Sequence, residues 1–83
     1  MTTIEIKFES FGAIERLIPH QFSLKCQPYT QISHVLDELA THFPESQTLL
    51  DQCACAIGEN IVARSATLQQ STTLVLLSPV AGG

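Results

Sequence analysis

Apolar and polar residues alternate in two segments near the start of the chain, which predicts two strands that each bury one face. In the first strand Ile4, Ile6 and Phe8 share one side, and charged residues lie between them. The second strand spans residues 22–26, after a connection with room for a helical turn at residues 13–17. Because consecutive strands usually pair, the two segments predict a hairpin with a long loop.

The strongest periodicity follows and predicts an amphipathic helix. Its apolar residues recur at helical spacing and form one stripe: Ile32, Val35, Leu36, Leu39, Ala40 and Phe43. Thr30 is expected to cap the N-terminus of this helix. Pro44 is expected to end the helix, because the residue before a proline disfavours helical geometry.

The second half of the chain contains three further strand candidates. "CACAI" predicts a buried strand, "GEN" a turn, "IVA" a short strand and "TLVLLS" a last strand that is apolar on both sides. Leu68 is an isolated apolar anchor between them. Two strand pairs around one helix with a single apolar stripe predict a two-layer α+β domain.

The composition limits the possible partners. The 83 residues carry a net charge of -4, and the four basic residues are scattered, which argues against nucleic acid or an anionic membrane surface as a partner. No apolar run approaches the roughly 18 residues of a membrane span, and the N-terminus does not resemble a signal peptide. We therefore expect a cytoplasmic protein.

The side chains offer little catalytic chemistry. Cys53 and Cys55 would share one side of a strand, where two thiols could bind metal or be redox active. No second cluster of ligands accompanies them, so we expect small buried side chains and no metal site. The three histidines are scattered, and no nucleotide-binding or nucleophile motif is present. A chain this small has little room for a substrate cleft, so whether it is an enzyme by itself stays open.

The chain ends in Pro79 and the sequence "VAGG". Proline lacks an N–H and fixes φ, so we expect a domain of residues 1–78 and an extended arm of residues 79–83. Gly82 and Gly83 have no Cβ, which lets such an end enter a narrow tunnel in a partner. The terminal carboxyl group of Gly83 is then the best candidate for a reaction.

The end "LVLLSPVAGG" resembles that of the MoaD-type small subunits of molybdopterin synthase, within the ubiquitin-like MoaD/ThiS sulfur carriers. "IEIKFESFGAIERLI" is similar to the first strand and loop of that family, and "YTQISHVLDELATHFP" to its main helix. The resemblance implies a β-grasp fold, with a mixed sheet of four to five strands on one main helix. The first and last strands would pair in parallel. Ser78 stands where the family has the first proline of a pair, and "QQSTT" replaces its usual acidic-glycine turn.

The resemblance also implies a function. An E1-like adenylating enzyme of the MoeB type would adenylate Gly83, and sulfur from a donor would replace AMP as a thiocarboxylate. A large subunit of the MoaE type would accept the arm in a heterotetramer. The sulfur would pass to cyclic pyranopterin monophosphate to form the molybdopterin dithiolene. No permanently bound cofactor is implied, only the transient adenylate and thiocarboxylate.

The resemblance assigns roles to residues of the tail. Gly83 would carry the sulfur, Gly82 would permit entry, and the arm would be lined by Pro79, Val80 and Ala81. The apolar residues of the last strand that miss the core would contact the partner. By register these are Val75 and Leu77, or else Leu76.

Other functions share the Gly-Gly end. The chain could carry sulfur for cysteine, thiamine or tRNA thiolation, and a lysine-conjugating modifier would also be adenylated. A non-catalytic β-grasp interaction module is the alternative from a different class.

Overall fold

Residues 2–79 are described by the computed structural model, and they form strands and helices in an order close to the predicted one. The strands are β1 (Ile4–Phe11), β2 (Ser23–Cys26), β3 (Thr30–Gln31), β4 (Ala54–Ile57), β5 (Asn60–Val62), β6 (Thr67–Leu68) and β7 (Thr72–Leu77). The helices are α1 (Ile32–His42) and α2 (Gln47–Gln52), and 3₁₀ turns span Ala13–Arg16 and Pro44–Ser46.

Five of the strands form one mixed sheet in the order β2-β1-β7-β4-β5. The central strand β7 and its neighbour β1 run parallel, with Ile6 opposite Thr72 and Phe11 opposite Leu77. The other neighbours in this sheet are antiparallel, including the predicted hairpin of β1 and β2. A separate two-stranded sheet joins β3 to β6. The α+β class and the parallel pairing of the first and last strands are confirmed.

The hydrophobic core lies between one face of the five-stranded sheet and α1. The sheet contributes alternate residues of its central strands, which are Ile4, Ile6, Phe8, Cys55, Leu74 and Leu76. The helix contributes its predicted stripe, and Ile32, Val35, Leu36 and Leu39 are all buried. Leu68 is 2% exposed and closes one end of the core, as expected of an apolar anchor. None of the helices described between residues 2 and 79 has the length and apolarity needed to cross a bilayer.

The expected N-cap of α1 is wrong. The helix begins at Ile32 with Gln31 in the cap position, and no side chain caps it. Thr30 instead belongs to β3, and its hydroxyl donates to the Gln27 carbonyl at 2.6 Å. The first helical N–H groups find other acceptors, because Ile32 donates to the Ala66 carbonyl and Ser33 to the Arg64 carbonyl, both at 2.9 Å. Backbone carbonyls in the loop before β6 therefore accept the hydrogen bonds that an N-cap side chain would otherwise accept.

The sequence between α1 and β4 contains a helix that periodicity did not predict. Helix α2 has only six residues, too few for a repeating pattern, and it follows the 3₁₀ turn that Pro44 opens. Leu50 is its buried residue. The Arg64 guanidinium donates to the carbonyls of Leu50 and Cys53, which satisfies acceptors that the end of a helix leaves free.

Two neighbouring leucines of β7 test the register of this strand. Leu76 is fully buried and Leu77 is 36% exposed on the other face. We expect Leu76→Ala to lower the free energy of unfolding by about 3 kcal/mol, and Leu77→Ala by less than about 1 kcal/mol. Urea denaturation of both variants measures the difference. Equal losses for the two variants would contradict this register.

Candidate functional site

The predicted reactive residues fall largely beyond the described part of the chain. Val80, Ala81, Gly82 and Gly83 lie outside residues 2–79. Pro79 is the last described residue and is exposed. Of the predicted site, the described residues contain the start of the arm at Pro79 and the last strand before it.

The last strand presents two different faces. Leu74 and Leu76 point into the core and are fully buried. Val75 is half-buried and Leu77 is exposed on the face turned away from α1. Of the two alternatives left open by the sequence, Leu76 is thus wrong as a surface contact, and Val75 and Leu77 occupy the accessible face.

Neighbouring strands extend this apolar surface. Leu77 lies between Phe11 and Ala54 in the sheet register, and Val75 lies beside Ala56, which in turn lies beside Ile61. Paired residues point to the same side of a sheet. The apolar part of this side, which we call the open sheet face, therefore consists of Phe11, Ala54, Ala56, Ile61, Val75 and Leu77. The exposed Glu9, which pairs with Val75, lies beside it as a charged neighbour.

The open sheet face is accessible at several points. Phe11 is 46% exposed and Ile61 is 67% exposed, while Ala56 lies buried beneath its neighbours. Sequence reasoning missed four members of this surface: Phe11, Ala54, Ala56 and Ile61. The pairing of β7 with β1 and β4 brings these residues to one side of the sheet, and a single-strand pattern does not show that pairing.

The chain leaves the sheet through a set of close contacts. Ser78 donates through its N–H to the Phe11 carbonyl at 3.0 Å, and its hydroxyl donates to the same carbonyl at 3.0 Å. The Ser78 Oγ accepts a hydrogen bond from the N–H of Ile14 at 2.9 Å. Ala13 donates through its N–H to the Pro79 carbonyl at 3.3 Å. The start of the predicted arm is therefore fastened to the loop that follows β1.

The two neighbouring cysteines are both buried, as the sequence predicted, although β4 begins only at Ala54 and Cys53 immediately precedes it. Burial raises the pKa of the Cys53 thiol to about 11; the nearby Cys55 adds to the rise, and the Arg64 guanidinium opposes it. Burial also raises the pKa of Cys55, again against Arg64. Buried, protonated thiols are poor nucleophiles.

The remaining polar side chains do not converge on a centre. His20, His34 and His42 are exposed, and the ring of His42 stacks edge-on against Phe22 at 5.3 Å between centroids. Asp37 and Glu38 lie on the exposed side of α1. Within the described residues, no three of His, Cys, Asp and Glu are grouped so that they could hold a metal ion.

Comparison with known proteins identifies the family. The sequence profile of the ThiS family matches residues 11–83. The chain therefore belongs to the ThiS family, the ubiquitin-like sulfur carriers of the ThiS/MoaD type. No curated protein matches it in sequence.

Solved structures share the fold at low identity. SAMP1 from Haloferax volcanii is 16% identical, with a TM-score of 0.76 over 99% of this chain and 100% of the other. The HVO 2177 protein from the same organism is 17% identical, with a TM-score of 0.77 over 98% and 88%. A proposed molybdopterin converting factor, subunit 1, from Pyrococcus furiosus is 12% identical, with a TM-score of 0.78 over 93% and 99%. The ubiquitin-like β-grasp fold is thereby confirmed.

The pKa of Cys53 makes stability depend on alkaline pH. Its folded pKa lies above the ordinary value of 9.0, so its contribution to stability is present below pH 9.0 and is lost as the pH rises towards about 11. We expect the free energy of unfolding to fall over that range, and to fall less steeply in Cys53→Ala. Urea denaturation from pH 8 to pH 11 measures both slopes. Identical slopes would contradict the prediction.

Proposed function

We propose that this chain is the sulfur carrier of molybdopterin synthesis, the small subunit of molybdopterin synthase. The observation that carries the proposal is the ThiS family match, which extends through Gly83 at the end of the chain. The choice of pathway is supported by the fold shared with the molybdopterin converting factor from Pyrococcus furiosus and by the "SPVAGG" ending.

The proposed chemistry takes place at the backbone terminus. A carboxylate oxygen of Gly83 attacks the α-phosphorus of ATP, and pyrophosphate leaves. Hydrosulfide supplied by a donor then attacks the acyl carbon, and AMP and a proton leave, which gives the thiocarboxylate. The thiocarboxylate sulfur finally attacks a carbon of cyclic pyranopterin monophosphate, and water then cleaves the acyl–sulfur bond, which leaves the sulfur on the pterin and returns the Gly83 carboxylate. The absence of a Cβ at Gly82 and Gly83 keeps the acyl carbon accessible in a narrow site.

Such a carrier depends on partners for its catalytic groups. We propose two: an E1-like adenylating enzyme of the MoeB type and a synthase large subunit of the MoaE type, with two copies of each subunit in the synthase. The open sheet face supports docking, because it is apolar and continues directly into Pro79 at the start of the arm. An accessible apolar surface of this kind is typical of a protein–protein contact. Val75, Leu77, Pro79, Val80 and Ala81 are the proposed contact residues.

Mass spectrometry of the intact chain tests the chemistry. Incubation with ATP, the cognate E1-like enzyme and a sulfur donor should add about 16 Da, because sulfur replaces one carboxylate oxygen. A chain that ends at Ala81 should keep its free energy of unfolding and gain no mass, because the buried core residues of the described structure all lie between Ile4 and Leu76. Absence of the mass gain in the full-length chain would overturn the proposal.

Co-purification tests the pathway and the docking surface together. We expect a stable complex with a MoaE-type large subunit, and we expect Leu77→Asp to weaken it at least about tenfold because docking would bury an unpaired carboxylate. His34→Asp adds the same charge on the exposed side of α1 and should leave the affinity unchanged. A complex with a PLP-dependent cysteine synthase or a thiamine enzyme in place of the large subunit would overturn the choice of pathway.

A further inference from the structure

The end of β7 is tied to the loop after β1 by four hydrogen bonds, which we call the arm clamp. The clamp joins Ser78 and Pro79 to Phe11, Ala13 and Ile14. We propose that Ser78, through this clamp, is a positioning residue for the proposed reaction: it sets the direction in which residues 80–83 enter the adenylating enzyme. This inference rests on the proposed function.

The Ser78 hydroxyl joins two elements, because it donates one hydrogen bond and accepts another. It donates to the Phe11 carbonyl at the end of β1 and accepts from the Ile14 N–H in the first turn of the 3₁₀ segment Ala13–Arg16. N–H groups at the start of a helical turn have no acceptor within it, and the N-cap residue of this turn supplies no side-chain acceptor. Ser78 therefore fills the role of a cap from the far end of the chain.

Gly12 makes the close approach possible. Its φ is 87°, and a Cβ built on it would lie 2.3 Å from the Ser78 carbonyl oxygen and 2.7 Å from the Ser78 Oγ. A side chain at this position would be strained in conformation and would also collide with the clamp. Glycine in the loop and serine directly after β7 are thus complementary, and together they allow the two backbones to approach closely.

The clamp restrains the chain at successive residues. The N–H of Ser78 is bound to Phe11, and the carbonyl of Pro79 is bound to Ala13, so the backbone is held on both sides of the peptide bond that joins them. Pro79 adds a fixed φ. Ordering a flexible segment on binding costs free energy, and a segment that starts in the right direction loses less freedom. The clamp reduces this cost for the four residues that must enter the enzyme.

The hydrogen bonds of Ser78 restrain the backbone, as the ring of a proline at the same position would do by a different mechanism. A proline at position 78 would restrain its own φ but would have neither the N–H that binds Phe11 nor the hydroxyl that binds Ile14. The clamp fastens the arm to a particular loop, so it specifies a direction relative to the open sheet face. Phe11 belongs to both, because its carbonyl accepts two bonds of the clamp and its ring lies on that face.

The test compares two serines with the same kind of bond. Ser78→Ala removes the clamp hydroxyl. Ser71→Ala removes a hydroxyl that accepts from the Glu5 N–H at 2.9 Å, at the opposite end of the β1–β7 pair. Ser78→Thr keeps the hydroxyl and serves as the conservative variant. Steady-state adenylation by the cognate E1-like enzyme, followed as pyrophosphate release, gives kcat and KM for each full-length carrier.

We expect Ser78→Ala to raise KM for the carrier about 3- to 10-fold, the effect of one or two lost hydrogen bonds, with kcat changed less than about twofold. Ser71→Ala should match the wild type, and Ser78→Thr should restore most of the loss. Amide exchange at Ile14 should accelerate in Ser78→Ala alone, and urea denaturation checks that every variant is folded.

The outcomes separate this inference from the proposed function. A wild-type chain that is not adenylated would overturn the function and the inference with it. An active wild type together with an unchanged KM in Ser78→Ala would overturn the inference and leave the function standing. An equal rise of KM in Ser71→Ala would also overturn it, because the effect would then follow from any loss at this strand pair.

Discussion

The parallel pairing of β1 with β7 is the contact on which the rest of the structure depends. It joins residues more than sixty positions apart in sequence, such as Ile6 and Thr72, and it places the first and last strands side by side within the sheet. Each strand turns alternate residues inward, so the pairing assembles one side of the core. The same register brings Ser78 next to the loop after β1. The core, the open sheet face and the arm clamp therefore all depend on one alignment of two strands.

Successive side chains of β7 point to opposite faces of the sheet, so one strand contributes both to the core and to the open sheet face. Leu74 and Leu76 are shielded by α1, while Val75 and Leu77 belong to the open sheet face. A strand that is apolar on both sides usually lies in the interior of a larger sheet structure. In this chain the second apolar side lies against no described element, and the proposed docking of a partner gives it a cover.

The sequence predicted what depends on local periodicity and could not predict what depends on distant partners. Alternation located β1, and the helical stripe located α1, because each pattern is written in neighbouring residues. Thr30 failed as a cap because the carbonyls of Arg64 and Ala66 already satisfy the start of α1. Ser78 attracted notice only as a departure from the family, since the groups that it binds lie more than sixty residues away. The family resemblance supplied the parallel pairing that the pattern alone left open.

The buried thiols have a chemical consequence for a carrier of this kind. A terminus activated as an acyl adenylate is an electrophile, and a thiolate that reached it would take the acyl group as a thioester. Burial raises the pKa of all three cysteines, so at neutral pH they stay protonated, and Cys53 and Cys55 are also shielded from contact. In the proposed reaction, the carrier would keep the sulfur atoms of Cys53 and Cys55 unreactive while its activated terminus accepts sulfur from a donor. Burial of these two thiols would protect the proposed acyl adenylate from attack within the same chain.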